Sequence, residues 1–350
     1  MQIVHALEAL VNHQNLSLAD SKSLFTTAMQ GGLSEAQFAG LLMALRVKGE
    51  SAEELAGATA AMRDLSLKVD IDVPHLVDTC GTGGSGHAKL FNISTASAFV
   101  AAAGGARVAK HGNRAMSSKS GSADVLEAAG VHLGLPPKEV ARCIKEVGVG
   151  FMFAQAHHSA MRHAAVPRRE LGIRTMMNVL GPMTNPAGAK SQVIGVFAPH
   201  WQMKMINVLK TLGSQRALTV HSAGLDEFSL AASAEVIELR DGEVREYTVT
   251  PEEVGLTTQS MDDLVCTSPE SSLELIKQAL RDVDSAAADI VAYNAGAALY
   301  TASVTDSMKQ GVTLARESIR DGKAIQCLED LGALSQSLSQ PANQSGEKTP

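Results

Sequence analysis

A glycine-rich loop is the first stretch of the sequence whose residue types could do chemistry. Residues 81–86 read GTGGSG, follow the strand-like run HLVDTC and precede a helix that begins near Ser94. Dinucleotide-binding folds share this GxGxxG pattern, but they place an acidic residue about 20 positions later to hold the ribose. Here residues 106–111 read ARVAKH and are basic. Glycine amides before a helix suit a phosphate or diphosphate, so we predict a phosphate-binding loop; a plain strand-to-helix turn is the alternative.

A second polar stretch, KHGNR at residues 110–114, ends the next predicted strand. Its two cations and its amide are followed by hydroxyls at Ser117, Ser118 and Ser122, a set that can hold a phosphate and sugar oxygens. Ligands of open α/β sheets bind beyond the carboxyl ends of the strands, where this stretch and the glycine-rich loop would meet. A solvated polar loop is the alternative interpretation.

Charged residues later in the chain suggest a metal site and an anion site. Asp226 and Glu227 follow the strand-like run RALTVHSAG, and Mg²⁺ prefers carboxylate oxygens together with substrate phosphates. An acidic loop that caps the next segment is the alternative. Arg168 can offer a planar fork to a carboxylate, although such arginines are also typical of a solvated helix. Zinc is not expected at His157 and His158, because HExxH spacing and a nearby cysteine are missing.

Composition restricts the class of protein. The 350 residues include 30 basic and 37 acidic side chains, a formal charge of −7, whereas a protein that mainly binds a phosphodiester backbone needs a basic stripe. We therefore expect no nucleic-acid partner. Four cysteines without CxxC spacing predict neither disulfides nor zinc, and no apolar run reaches the roughly 18 residues of a membrane span. The start lacks a basic signal segment, so the sequence predicts a cytoplasmic protein without membrane contact.

Helix-start signals dominate the first part of the chain. Ser17, Ser34 and Ser51 are each followed three positions later by an acidic or amide side chain, which is capping-box spacing or close to it. Apolar residues recur at helical spacing behind these signals. We predict a small helical domain over residues 1–72.

The pattern changes from residue 73. Short β-prone runs alternate with helical ones, which predicts an α/β domain with a mainly parallel central sheet over residues 73–335. Two strand-like runs flank Asp241 and Gly242, so an antiparallel hairpin is expected there. Residues 336–350 are polar and are expected to be a disordered tail.

Longer motifs occur in a fixed order along residues 1–335: GTGGSG, FNIST, KHGNR, SSKSGSADVLE, RRELGIRT, NVLGPMTNP and GLDEFSL. On these motifs the chain resembles the anthranilate phosphoribosyltransferases. The resemblance implies Mg²⁺-dependent transfer of the phosphoribosyl group from 5-phosphoribosyl 1-pyrophosphate (PRPP) to anthranilate in tryptophan biosynthesis. It also implies a homodimer, a fold shared with pyrimidine nucleoside phosphorylases, and helices from about 168–190 that join the helical domain.

The family's site residues carry over where this sequence matches its motifs. The magnesium ligands correspond to Ser94, Asp226 and Glu227, and the anthranilate contacts include Asn113 and Arg168. The implied substrate-binding set is Gly81, Gly84, Ser85, Asn92, Ile93, Ser94, Thr95, Lys110, His111, Gly112, Asn113, Arg114, Ser117, Ser118, Ser122, His158 and Arg168. No catalytic acid or base is assigned, because an arylamine is neutral at pH 7 and can lose its proton after attack.

One loop departs from the family pattern, and a few further positions are placed near the substrates. Relatives usually read GTGGDG, whereas this chain has Ser85 and one added residue beside Lys89, which makes the loop more cationic. His111 and His158 are expected near the aromatic amine, and the rigid turn at residues 181–186 is expected at a hinge or ligand entrance. The alternatives are a pyrimidine nucleoside phosphorylase-like enzyme and a non-catalytic relative that binds nucleic acid.

Overall fold

Short helices open the chain in this computed structural model, which describes residues 1–83, 90–115 and 119–340. They are α1 (Ile3–Val11), α2 (Leu18–Met29), α3 (Glu35–Lys48) and α4 (Ala52–Leu65). Ser34 and Ser51 both form the predicted capping box, with Gln37 and Glu54 as the returning side chains. The local helix-start signals were therefore correct.

A single sheet organises the rest of the described chain. Its strands are β1 (Leu76–Gly81), β2 (Arg107–Gly112), β3 (Val149–Phe153), β4 (Ser191–Gly195), β5 (Arg216–His221), β6 (Ala234–Arg240) and β7 (Glu243–Val249). The order is β3-β2-β1-β4-β5-β6-β7, and neighbours among β1 to β5 run parallel. β6 and β7 are antiparallel and turn at Asp241 and Gly242, which both have positive φ. The α/β class and the hairpin are confirmed.

Helices cover both faces of this sheet. They are α5 (Ile93–Ala103), α6 (Ser122–Ala128), α7 (Pro137–Glu146), α8 (Ala154–His157), α9 (Arg162–Leu171), α10 (Met177–Leu180), α11 (Gln202–Thr211), α12 (Pro269–Arg281), α13 (Ala286–Thr301), α14 (Met308–Arg320) and α15 (Lys323–Ser339). Successive residues of β4 point to different apolar clusters: Val193 joins the one that contains α5 and α13, and Ile194 joins the one that contains α1 to α4 and α11. This alternation is the normal period of a strand buried on both faces.

The second cluster bears on the predicted helical domain. Ala164 on α9 and Met177 on α10 are buried in the same cluster as Phe25 and Phe38, whose rings pack edge to face with centres 6.1 Å apart. The helices after residue 160 thus share a core with the N-terminal helices. The exact division at residue 72 stays a prediction.

The predicted tail begins too early. Residues 336–339 are not disordered but form the last turn of α15. Ser335 is fully buried and accepts a hydrogen bond from the His132 amide at 2.9 Å, while the Gln336 amide donates to the Gly130 carbonyl at 2.9 Å. Polar composition was misleading because these side chains bond to backbone instead of water. Residues 341–350 lie outside the described part of the chain.

Within the described ranges, none of the helices is long and apolar enough to cross a membrane.

Candidate active site

The strand order reverses direction between β1 and β4, the position at which open α/β sheets bind ligands. Gly81 and Gly195 end these strands and are paired in register. A Cβ on Gly195 would lie 1.6 Å from the Asp226 carbonyl oxygen, and one on Gly81 would lie 2.6 Å from its carboxylate. Both positions need glycine so that Asp226 can lie across the strand ends, where the Gly83 amide donates to its Oδ2 at 2.8 Å.

Asp226 and Glu227 form the acidic side of this site. Glu227 is half-buried, and the pKa of its carboxyl is raised to about 8, first by loss of solvent and then by the charge of Asp226. The backbone amide of Ser94 hydrogen-bonds to Glu227 and partly opposes that shift. Two adjacent carboxylates whose charges repel each other are suited to a divalent cation, and the Ser94 hydroxyl adds a hard oxygen nearby. The residues present therefore fit Mg²⁺.

Lys110 is the basic counterpart at the end of β2. Its ammonium is 2% exposed, donates to the Thr79 carbonyl at 2.6 Å and lies 3.2 Å from the Ser94 hydroxyl. Burial lowers the pKa of Lys110, while the nearby acids, including Glu227, act in the opposite direction. The predicted meeting of the KHGNR stretch with the end of β1 is thus observed for this residue.

Asn92 binds protein groups at the start of α5. Its Oδ1 accepts hydrogen bonds from the hydroxyls of Ser120 at 2.7 Å and Ser272 at 2.8 Å. Its neighbour Ile93 is buried, and Thr95 has a buried hydroxyl without a hydrogen-bond partner among the described residues. Ser120 and Ser272 were missed by the sequence analysis, because Ser272 is 180 positions away from Asn92.

Arg114 is exposed and forms ion pairs with two nearby acidic side chains. Its guanidinium bonds to both Glu127 oxygens at 2.7 and 3.0 Å and to Asp124 at 3.1 Å. Asp124 also accepts from the amides of Ala115 and Gly121, so it ties together the two sides of this loop. Arg114 thus contacts acidic side chains of the protein, and its phosphate contact stays a prediction.

The neighbouring positions are closely packed. A Cβ on Gly112 would lie 2.1 Å from the Ser122 hydroxyl, so a side chain there would force Ser122 to move. The Ser122 hydroxyl in turn is 3.4 Å from the Asn113 carbonyl. The predicted residues Gly84, Ser85, Ser117 and Ser118 lie outside the described residues.

Arg168 lies half-buried near the end of α9. Burial lowers the pKa of its guanidinium, and no ion pair or side-chain hydrogen bond engages it within the described ranges. By contrast, the nearby Arg174 stacks on the Phe197 ring at 4.3 Å. Arg168 thus differs from a solvated helix arginine, because a half-buried guanidinium without an acidic partner in the described ranges is suited to an incoming carboxylate.

The histidines behave differently from one another. His158 is 7% exposed, its pKa is lowered to about 4 by burial and by the charge of His111, and its Nε2 has no partner in the described chain. His111 instead uses both ring nitrogens, with Nδ1 2.7 Å from Asp78 and Nε2 3.0 Å from the Gly181 carbonyl oxygen. Asp78 was missed by the sequence analysis, although a lone acid inside an apolar strand is a usable signal.

Asp78, Cys80 and His111 bring metal-ligand atoms within 4.8 Å of one another. They do not suit a metal, because Asp78 and His111 already pair with each other and the charge of Lys110 lies nearby. Burial also raises the pKa of the Cys80 thiol, so the thiolate form that binds metals is disfavoured.

Comparison with known proteins agrees with this geometry. Two sequence models of the glycosyl transferase family match in order, the helical bundle domain over residues 4–66 and the a/b domain over residues 73–325. The chain is 53% identical over 340 residues to the anthranilate phosphoribosyltransferase of Hahella chejuensis, covering 96% of this chain and 98% of that relative. The Pseudomonas putida enzyme of the same name is 52% identical, with 95% and 97% covered.

Solved structures match over the same extent. The crystal structure of anthranilate phosphoribosyltransferase from Thermus thermophilus has a TM-score of 0.89 and 44% identity, covering 95% of this chain and 99% of that one. The Saccharomyces cerevisiae enzyme in complex with PRPP and Mg has a TM-score of 0.84 and 25% identity, with 96% and 98% covered. With both domains present in order and relatives of this identity over nearly its full length, the chain belongs to the anthranilate phosphoribosyltransferase family.

Proposed function

We propose that this chain transfers the phosphoribosyl group of PRPP to anthranilate, with Mg²⁺, giving N-(5-phosphoribosyl)anthranilate and pyrophosphate in tryptophan biosynthesis. The observation that carries the proposal is the pair Asp226 and Glu227, which lies across the β1 and β4 ends beside Lys110. Family membership supports the reaction, and the acidic pair supports our proposal that Mg²⁺ and the diphosphate bind at these strand ends.

The leaving group sets the main demand on the site. Breaking the C1–O bond of PRPP leaves negative charge on pyrophosphate and positive charge on the sugar. Mg²⁺ held by Asp226, Glu227 and Ser94 would neutralise the diphosphate. Lys110 adds a preorganised donor for the same oxygens, and such a donor is worth most in a site shielded from water.

Anthranilate requires a cationic partner for its carboxylate and free access of its amine to C1 of the sugar. We assign its carboxylate to Arg168, whose guanidinium has no carboxylate partner in the described structure, and a further contact to Asn113. His158 stays neutral at pH 7 because its pKa is lowered to about 4. A neutral imidazole does not repel the cationic sugar as an imidazolium would, so we propose that it lines the amine side. Holding the amine near C1 then supplies much of the rate.

We further propose that the protein is a cytoplasmic homodimer. Its four cysteines are all free, which fits a reducing compartment. Large apolar side chains are exposed on the N-terminal helices, with Val4 at 59%, Val11 at 70% and Val47 at 74%. A concentration-independent monomer mass in sedimentation would contradict the dimer.

The reaction is tested by following anthranilate fluorescence with purified protein and PRPP, with Mg²⁺ present or removed by EDTA. We expect a decay that requires both PRPP and Mg²⁺. Phosphate with thymidine serves as the control for a nucleoside phosphorylase. Folded protein that releases thymine but leaves anthranilate unchanged would overturn the proposal.

A further inference from the structure

Asp78 is a fully buried carboxylate in the middle of β1. Its Oδ2 lies 2.7 Å from Nδ1 of His111 and accepts from the Gln192 side chain on β4 at 3.2 Å. Its Oδ1 lies 3.4 Å from the His111 backbone nitrogen. Donors from both neighbouring strands thus surround it, and this arrangement stabilises the ionised form.

His111 connects this carboxylate to a distant segment. Its Nε2 is 3.0 Å from the Gly181 carbonyl oxygen, which can only accept a hydrogen bond. Since an ionised Asp78 is also only an acceptor, both ring nitrogens must carry hydrogen. The Asn185 amide nitrogen lies 3.4 Å from Nδ1 but can only donate: it donates to the Ala109 carbonyl at 2.8 Å and also to Asp78, so the Nδ1 hydrogen is left to the Asp78 carboxylate.

The segment after Gly181 is attached through its carbonyl groups. Pro182 accepts from Gln192 at 3.0 Å, and Met183 accepts from Arg63 at 2.8 Å. Gln192 therefore binds both Asp78 and this segment. The segment joins α10, which follows the Arg168 helix, to β4 in the sheet.

We propose that Asp78 is a positioning residue for the acceptor substrate: it holds His111 as an imidazolium that binds the Gly181 carbonyl, and so sets the spacing between Arg168 and Asn113. The proposal rests on the proposed function, because it takes those two residues as the anthranilate contacts. Asp78 itself touches neither substrate, since it is enclosed between strands.

The surrounding charges are compatible with this state. Burial alone would lower the pKa of His111, but the charge and hydrogen bond of Asp78 outweigh it and raise that pKa. Lys110 acts in the lowering direction. His157 and His158, which follow β3, have lowered pKa values and remain uncharged at pH 7.

Asp78→Asn tests the positioning role by steady-state kinetics. An amide keeps the size of the side chain but removes the charge from a buried pair, so we expect the KM for anthranilate to rise by roughly tenfold. The KM for PRPP should change less than the KM for anthranilate, because Asp78 acts on the diphosphate donor Lys110 through its charge alone, whereas it holds His111 by a direct contact.

The matched control is Glu238→Gln, which alters another buried carboxylate of the same sheet. Glu238 on β6 accepts from the Tyr300 hydroxyl at 2.6 Å and should leave both KM values unchanged even if stability falls. An unchanged anthranilate KM in Asp78→Asn, or equal changes for both substrates, would overturn the proposal. Wild-type protein that does not consume anthranilate would instead refute the proposed function.

A second measurement needs only wild-type protein and covers the case in which Asp78→Asn does not fold. Histidine labelled with ¹³C at Cε1 reports ring protonation by NMR, and the His111 signal is the one missing in His111→Gln. We expect it to keep the imidazolium position from about pH 6 to about pH 8, where an ordinary histidine titrates. A His111 signal at the neutral position near pH 7 would show that the ring is not held as proposed.

Discussion

Carboxylates lie in protected positions both among the N-terminal helices and at the ends of the central strands β1 and β4, but the surroundings of their charges differ. Glu54 on α4 is fully buried and accepts from the Leu16 amide at 2.9 Å, the Ser51 amide at 2.8 Å and the Lys48 ammonium at 3.0 Å. Asp226 and Glu227 stand next to each other, and the pKa of Glu227 is raised to about 8.

This difference separates a structural acid from a functional one. Glu54 has a compensating cation within the protein, so its charge is already balanced. When both are ionised, the two carboxylates at the ends of β1 and β4 outnumber the nearby Lys110 charge, so Glu227 keeps its proton up to a pKa of about 8 unless a bound cation replaces that proton. Burial of a carboxylate is therefore a weak signal of function, whereas unbalanced charge in a cleft is a stronger one.

The largest expected effect comes from removing the unbalanced charge. Asp226→Asn combined with Glu227→Gln should lower kcat/KM by about 10²–10³-fold or more, the cost of losing one preorganised group in a transition state. The free energy of unfolding should stay the same or rise, since Glu227, whose ionisation is disfavoured in the folded protein, is replaced by a neutral amide. Steady-state kinetics and urea unfolding on the same preparation measure both. A variant that loses stability but keeps its activity would show that Asp226 and Glu227 have a structural role, as Glu54 does.

Glu54→Gln should lower the free energy of unfolding and leave the catalytic constants unchanged, which is the reverse of the double substitution at Asp226 and Glu227. Breaking a buried ion pair leaves the Lys48 ammonium uncompensated, which costs about 3 kcal/mol of unfolding free energy. Under conditions where the variant stays folded, kcat and both KM values should match those of the wild type. Lys22→Gln is the control, because its ion pair with Asp64 is exposed and is worth less than about 1 kcal/mol. Equal losses in the two variants would contradict the distinction.

The sequence predicts what is local better than what is distant. The capping boxes at Ser34 and Ser51 and the hairpin at Asp241 each depend on a few adjacent residues, and all three are present. The end of α15 was missed because its polar side chains bond to backbone that comes from elsewhere in the chain, such as the Gly130 carbonyl.

The site shows the same limit. Asp226 and Lys110 could be selected from residue types that follow successive strands, and the structure brings both to the strand ends. The contacts that support the site could not be predicted in this way. Asp78 meets Gln192 across 114 positions, and no local pattern in the sequence indicates that contact. Arg114 shows a further limit: its substrate contact stays a prediction, and the sequence did not indicate that this cation also pairs with Glu127.

Arg168 tests the same idea with a positive charge that has no acidic partner in the described structure, and the expected kinetic effect is smaller. Arg168→Ala should raise the KM for anthranilate by about ten- to a hundredfold, since a charge-assisted contact contributes roughly 1.5–3 kcal/mol. The KM for PRPP should change little. Arg142→Ala removes an arginine that already pairs with Glu139 and Glu146, and it should alter neither constant. An unchanged anthranilate KM in Arg168→Ala would assign the carboxylate to another residue.

His158 provides the smallest effect and extends the comparison to a buried base. Its pKa is lowered from 6.5 to about 4 in the folded protein, so the unfolded chain binds this proton more readily. The stability that depends on neutral His158 is therefore present above about pH 6.5 and is lost as the pH falls towards 4.

His158→Gln removes this dependence, so wild type should lose about 0.7 kcal/mol more unfolding free energy than the variant between pH 7 and pH 6. His111 contributes the opposite slope but is present in both proteins, so it cancels in the difference. Identical pH dependence of urea unfolding in the two would mean that His158 is exposed enough to ionise normally, and a neutral ring beside the amine could no longer be assumed.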